Sequence, residues 1–159
     1  MSRQTKDEIL AEIQYEFRAS QVASDQIDDI AAAALGINRT DSRCLDIVDY
    51  AGPLTAGQLA ERSGLTTGAV TAVLDRLEAR GYVRRNRDTE DRRRVLVEMT
   101  DDARGRAMEF YGPMAEAGMR QMSAYTVEQL ALVRDFLRAG RDIQEAQLAR
   151  LRDSGTAAA

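Results

Sequence analysis

Apolar residues recur at helical spacing from about Lys6 to Leu35: Ile9, Ile13 and Phe17, then Val22, Ile27 and Ile30, with acids clustered early. Gly36 stops this pattern. A helix of that length outruns what a small domain can cover, so its apolar stripe is expected to meet a partner. Thr40 and Asp41 suit the start of a second helix over Ser42 to Tyr50, which Gly52-Pro53 breaks. Thr55 is the expected N-cap of a short helix with Leu59 and Ala60 facing inward, ended near Gly64. Thr66 or Thr67 then caps another, with Val70, Val73, Leu74 and Leu77 on one face and Gly81 closing it.

Two short helices joined by a tight turn make a helix-turn-helix pattern. Period-two stretches follow at once, Tyr82 to Arg87 and Arg93 to Met99, separated by the polar tip Asp88 to Arg92. That order is a winged helix. Thr100 starts a further helix whose Asp101 and Asp102 complement its dipole, and Gly112-Pro113 should kink or interrupt it. Thr126 to Gln129 reads as a capping box opening a last helix to about Leu151, and Ser154 to Ala159 reads as a disordered tail. The fold class is mainly α with a small β-ribbon.

Composition narrows the function. The chain has 159 residues, one cysteine and no histidine. A lone cysteine excludes an intrachain disulfide and a cysteine-based zinc cluster. Missing histidine removes the commonest general base and metal ligand, so an enzyme, a metal and a cofactor are all unexpected. No apolar run approaches the ~20 residues of a membrane span, and the start is polar, so a cytoplasmic location without membrane contact is expected.

Charge changes the picture further. The net charge is −4, yet Arg76 to Arg94 holds eight arginines against four acids. Local basic charge suits a phosphate-facing surface. In the second short helix, Thr66, Thr67, Gly68 and Thr71 are small enough to enter a major groove, and Arg76 could reach a phosphate. Arg92 and Arg93 at the ribbon tip suit a minor groove, with Asp91 as an acceptor that pairs with a guanidinium and braces the tip. A charged turn that merely blunts a sheet edge is the plainer reading of the same residues.

The run from Leu59 to Thr100 resembles the winged-helix core of the multiple-antibiotic-resistance regulator (MarR) family. The resemblance rests on "LDRLEARGYVRR" from Leu74 to Arg85, the D-x-x-D-R-R wing from Asp88 to Arg93, and the closing "VLVEMT". It implies a homodimer built on terminal helices, 1–37 and 101–153, around a DNA-binding domain at 38–100. It further implies repression at a pseudo-palindromic operator on double-stranded DNA, with Arg93 in the minor groove and Arg92 on the adjacent phosphate. A small apolar or phenolic ligand between the dimer helices and the winged helix would release the DNA; Tyr15, Phe17 and Tyr50 could line its pocket. Ala72 stands where many relatives carry a basic or amide residue, which shifts the burden toward wing and DNA shape. Met99 and Ala103 are milder departures. Two alternatives stay open: a winged helix that docks on a protein, and a redox sensor through Cys44, although Cys44 lies in the second helix rather than the first.

Overall fold

The computed structural model describes residues 4–156 and contains six helices and a two-stranded antiparallel ribbon. The order is α1 Lys6–Leu35, α2 Arg39–Ala51, α3 Ala56–Ser63, α4 Thr67–Ala79, β1 Val83–Arg87, β2 Val95–Met99, α5 Asp101–Met122 and α6 Val127–Thr156. It divides into two compact units, Met1–Phe110 and Tyr111–Ala159.

Local chemistry sets most boundaries in the first unit. Thr5 and Glu8 form a capping box at the start of α1, and Gly36 ends it in the left-handed conformation at φ 65°. Asn38, rather than Thr40, caps α2, because its side-chain oxygen accepts from the Asp41 backbone N–H at 2.8 Å. Thr55 caps α3 reciprocally with Gln58, and Thr66 caps α4.

The core of this unit is the winged helix. Leu59, Leu74, Leu77, Val48, Val70, Val73, Val83 and Val97 are its largest fully buried side chains, and Ala32 near the end of α1 joins them. Val83 pairs with Met99 and Arg85 with Val97, which puts these four on one ribbon face; Arg84 and Glu98 pair on the other. Leu54 adds a third, one-residue bridge to Val97 through reciprocal N–H to carbonyl bonds of 3.1 and 2.8 Å. Gly52-Pro53 therefore not only ends α2 but delivers Leu54 to the sheet edge.

The ribbon is shorter at its return than the alternation suggests. Arg93 and Arg94 belong to the turn, and β2 begins at Val95. Thr100 caps α5 as expected, accepting from Ala103 N–H at 3.2 Å while donating to the Gly81 carbonyl at 2.7 Å.

The expected interruption at Gly112-Pro113 does not occur, since α5 continues through Pro113 to Met122. Proline removes one donor, and the Ala-, Glu- and Met-rich sequence around it carries the helix past the gap. In the second unit Thr126 and Gln129 form the capping box of α6. That helix runs to Thr156, so Ser154 to Thr156 are helical rather than tail, with the Ser154 hydroxyl donating to the Leu151 carbonyl at 2.9 Å. Residues 157–159 lie outside the described residues. No helix of the described residues is long and apolar enough to cross a membrane.

Candidate nucleic-acid interface

The start of α4 is an open, uncharged helix end. Thr67, Gly68, Ala69, Thr71 and Ala72 are all exposed, and a Cβ placed on Gly68 would meet nothing within 4 Å. Helices α1, α2, α5 and α6 carry acids in their first turns, whereas α3 and α4 carry none. The positive end of the α4 dipole and its unpaired N–H groups are thus left available to an anion. The threonine hydroxyls divide their capacity. Thr66 Oγ1 accepts from the Ala69 N–H at 3.3 Å, which leaves its proton to give outward. Thr71 Oγ1 instead donates to the Thr67 carbonyl at 3.0 Å and keeps its lone pairs and methyl for a neighbour.

Arg76 is placed differently from the sequence expectation. Its guanidinium forms a fork on Asp41, Nε to Oδ2 at 3.0 Å and Nη2 to Oδ1 at 2.5 Å. The Asp41 carboxylate is buried while the arginine stays half exposed. The hydrogen bond to Asp41 raises the Arg76 pKa further above its ordinary value. Arg76 therefore locks α4 to α2 instead of standing free for a phosphate. Nothing local announces the pair, since its members lie 35 residues apart.

The wing is braced, but not in the way Asp91 alone suggests. Asp91 accepts no guanidinium; its Oδ1 takes the Arg93 backbone N–H at 3.0 Å, and its carbonyl takes the Arg94 N–H at 2.9 Å. Such a turn suits a short carboxylate, which bonds its own backbone two residues on. The acid that meets a guanidinium is Asp88, 3.7 Å from Arg94, and its Oδ1 also accepts the Glu90 N–H at 2.9 Å. The backbone closes the loop from Asp88 N–H to the Arg94 carbonyl at 3.0 Å. Asp88 is the brace that sequence reasoning passed over; its place opposite the last tip arginine was the available signal.

Below the tip, arginines are consumed in pairs. Arg85 reaches from the inner ribbon face to Asp75, at 2.7 Å, and Glu78, fixing the wing to α4. Arg84 bonds Glu98 at 2.7 Å on the outer face, which lowers the Glu98 pKa. Arg62, Arg87, Arg92 and Arg93, like Arg43 on α2, are exposed, and their guanidiniums meet no acceptor among the described residues. Arg62 lies in the last turn of α3, beside the turn into α4. Arg87 lies on the ribbon face that carries Arg85, one step nearer the tip.

Cys44 is 1 % exposed, and burial raises its thiol pKa. A reactive cysteine needs the opposite, an accessible and stabilised thiolate. Tyr15, Phe17 and Tyr50 are all exposed.

Residues 37–95 match the family model described as MarR family. The HTH-type transcriptional regulator YcgE of Bacillus subtilis is 43% identical over 122 residues, covering 77% of this chain and 79% of its own. The HTH-type transcriptional repressor YetL of the same organism is 37% identical over 57 residues, 36% of this chain and 34% of its own. Among solved structures, a MarR family protein from Bacillus stearothermophilus superposes with a TM-score of 0.60 at 18% identity, over 89% of this chain and 99% of that one. A MepR mutant of S. aureus bound to an oligodeoxyribonucleotide gives 0.53 at 21% identity, over 89% and 96%.

Proposed function

The chain belongs to the MarR family of winged helix-turn-helix transcriptional regulators, and from that premise we propose that it is a homodimeric repressor, released from its operator by a small ligand. The relatives and the fold are those of regulators, not enzymes. The observation that carries the DNA-binding geometry is the division of arginines. Of the ten arginines from Arg43 to Arg94, Arg76, Arg80, Arg84, Arg85 and Arg94 have protein acceptors, whereas Arg43, Arg62, Arg87, Arg92 and Arg93 are exposed with no acceptor among the described residues. Of these, Arg62 lies beside the acid-free start of α4, and Arg87, Arg92 and Arg93 lie on the ribbon and its tip.

In this reading α4 enters the major groove by its start. Thr66 gives its proton to a phosphate, Thr67 and Thr71 meet base edges or thymine methyls, and Gly68 permits close backbone approach. Arg93 enters the minor groove with Arg92 on the backbone, and Arg62 and Arg87 extend the phosphate track on either side. Arg76 contributes by holding α4 in place. The protein resides with its DNA in the cytoplasm.

Dimerisation is supported by what the helices leave uncovered. Ile9, Leu10, Ile13 and Phe17 on α1 are exposed, as are Leu132, Val133, Phe136 and Leu137 on α6. Apolar stripes of this length on a monomer mark an interface. A groove of about 770 Å³ along α6 is lined by Val127, Leu130, Val133 and Leu137 together with Arg134 and Arg138. The test is a gel-shift titration at several salt concentrations. Arg93→Ala should bind more weakly and with a shallower salt dependence; unchanged affinity and slope would refute the wing assignment.

A further inference from the structure

The far end of α4 is tied to the end of α1. Gly81, at φ 74°, closes α4 with its N–H on the Glu78 carbonyl and the Tyr82 N–H on the Leu77 carbonyl, both at 2.9 Å. That turn sends Tyr82 inward, where its hydroxyl donates to the Leu35 carbonyl at 2.7 Å. Arg80, the C-cap of α4, donates to the Gly36 carbonyl. A Cβ on Gly36 would come within 3.0 Å of the Arg80 Nη1, so the approach is close. Leu35 and Gly36 offer carbonyls that a helix end leaves without an internal partner. Two side chains from the end of one helix thus cap the end of another.

Tyr82 is itself held firmly. The Arg106 guanidinium of α5 lies 5.8 Å from its ring centroid, and its carbonyl accepts the Thr100 N–H at 3.0 Å. An ordinary core position would need only an apolar side chain here. Gly36 is exposed, so water could satisfy its carbonyl without Arg80. The ties exceed what burial demands.

We infer that Tyr82 and Arg80 are positioning residues that set the tilt of α4 against α1, and hence the separation of the two recognition helices in a dimer. The inference rests on the homodimeric DNA-binding reading. At 1.5 Å per residue, the thirteen residues of α4 make a lever about 20 Å long. A tilt of about 5° at the clamp moves its far end by roughly 2 Å, enough to spoil hydrogen bonds to base edges.

The experiment uses the full chain with Tyr82→Phe, Arg80→Ala and Arg80→Lys. Binding is measured on the inverted repeat selected by the wild type, on the same repeat with its spacer one base pair longer or shorter, and on a single half-site. Thermal melts accompany each variant. Tyr82→Phe and Arg80→Ala should lower the preference for the selected spacer about threefold to tenfold, the worth of one hydrogen bond. Single-half-site binding should stay within about twofold, and Arg80→Lys should restore part of the preference. An unchanged spacer profile would overturn the inference, as would a uniform loss across all three spacers that follows the melting temperature. If the wild type itself selects no inverted repeat, the dimeric reading fails first and takes this inference with it.

Discussion

The recognition helix and the wing both carry arginine, and they use it in opposite ways. On α4, Arg76 is spent on the buried Asp41, and the exposed residues of the first turns are small and uncharged. On the wing, Asp88 and Asp91 hold the loop by backbone bonds and by Arg94, which leaves Arg92 and Arg93 without a side-chain partner among the described residues. The lesson is that an arginine's role is fixed by whether folding has already supplied its acceptor. Where it has, the side chain is architecture; where it has not, an incoming phosphate can supply one.

The sharpest way to break this comparison is to exchange the losses. Arg93→Ala should cost about tenfold to a hundredfold in DNA affinity and lower the salt slope by about 1, with an unchanged melt. Arg76→Ala should do the reverse in kind: a melting temperature lower by on the order of 5–10 °C, because the buried Asp41 carboxylate loses its partner, while the protein that stays folded keeps its salt slope. Scanning calorimetry beside gel shifts separates the two. Equal effects on stability and binding from both variants would erase the distinction.

Smaller effects sharpen it. Arg62→Ala and Arg87→Ala should each weaken binding about threefold at every DNA sequence and reduce the salt slope, as phosphate contacts do. Arg84→Ala, which loses only a pair with Glu98, is the matched control and should leave the slope alone. Peroxide should not release the DNA, since Cys44 is buried with its thiol pushed up; oxidation-dependent release abolished by Cys44→Ala would restore the redox alternative.

The smallest expected effect is on pH. Asp46 on α2 is pushed up to about 6 by burial, and further by the nearby charges of Asp28 and Asp49. Between about pH 4 and 6 the folded protein then holds a proton that the unfolded chain has released. Stability from this group is therefore full below that window and falls as pH rises through it. Asp46 keeps one side in solvent, so screening limits the change to an estimated ~1–3 °C in melting temperature. Melts of Asp46→Asn across pH 4 to 8 should lose that decline; an identical pH profile would remove Asp46 from the account.

Much of this was legible along the chain because the signals were local. Thr55, Thr66, Thr100 and Thr126 announce helix starts, and Gly36, Gly64 and Gly81 announce ends. Misreadings arose where tertiary partners chose among equivalent residues. Thr40 and Asp41 looked like the start of α2, but Asp41 is drawn inward by Arg76, and Asn38 takes the cap. Asp91 and Asp88 are chemically the same, and only the path of the loop decides which one faces a guanidinium. The Tyr82 and Arg80 ties to α1 join residues more than 40 positions apart, which no periodicity reports. The bridge of Leu54 to Val97 leaves no trace in the alternation, because one residue is too short a strand to show it.

Selection of bound sequences from a random double-stranded DNA pool tests the central claim most directly. The expected result is an inverted repeat with half-sites about one helical turn, ~10 bp, apart. A/T-rich steps should appear where the wing meets a narrow minor groove, and Arg92→Ala with Arg93→Ala should lose them. Enrichment of no inverted repeat, with binding indifferent to sequence, would contradict it.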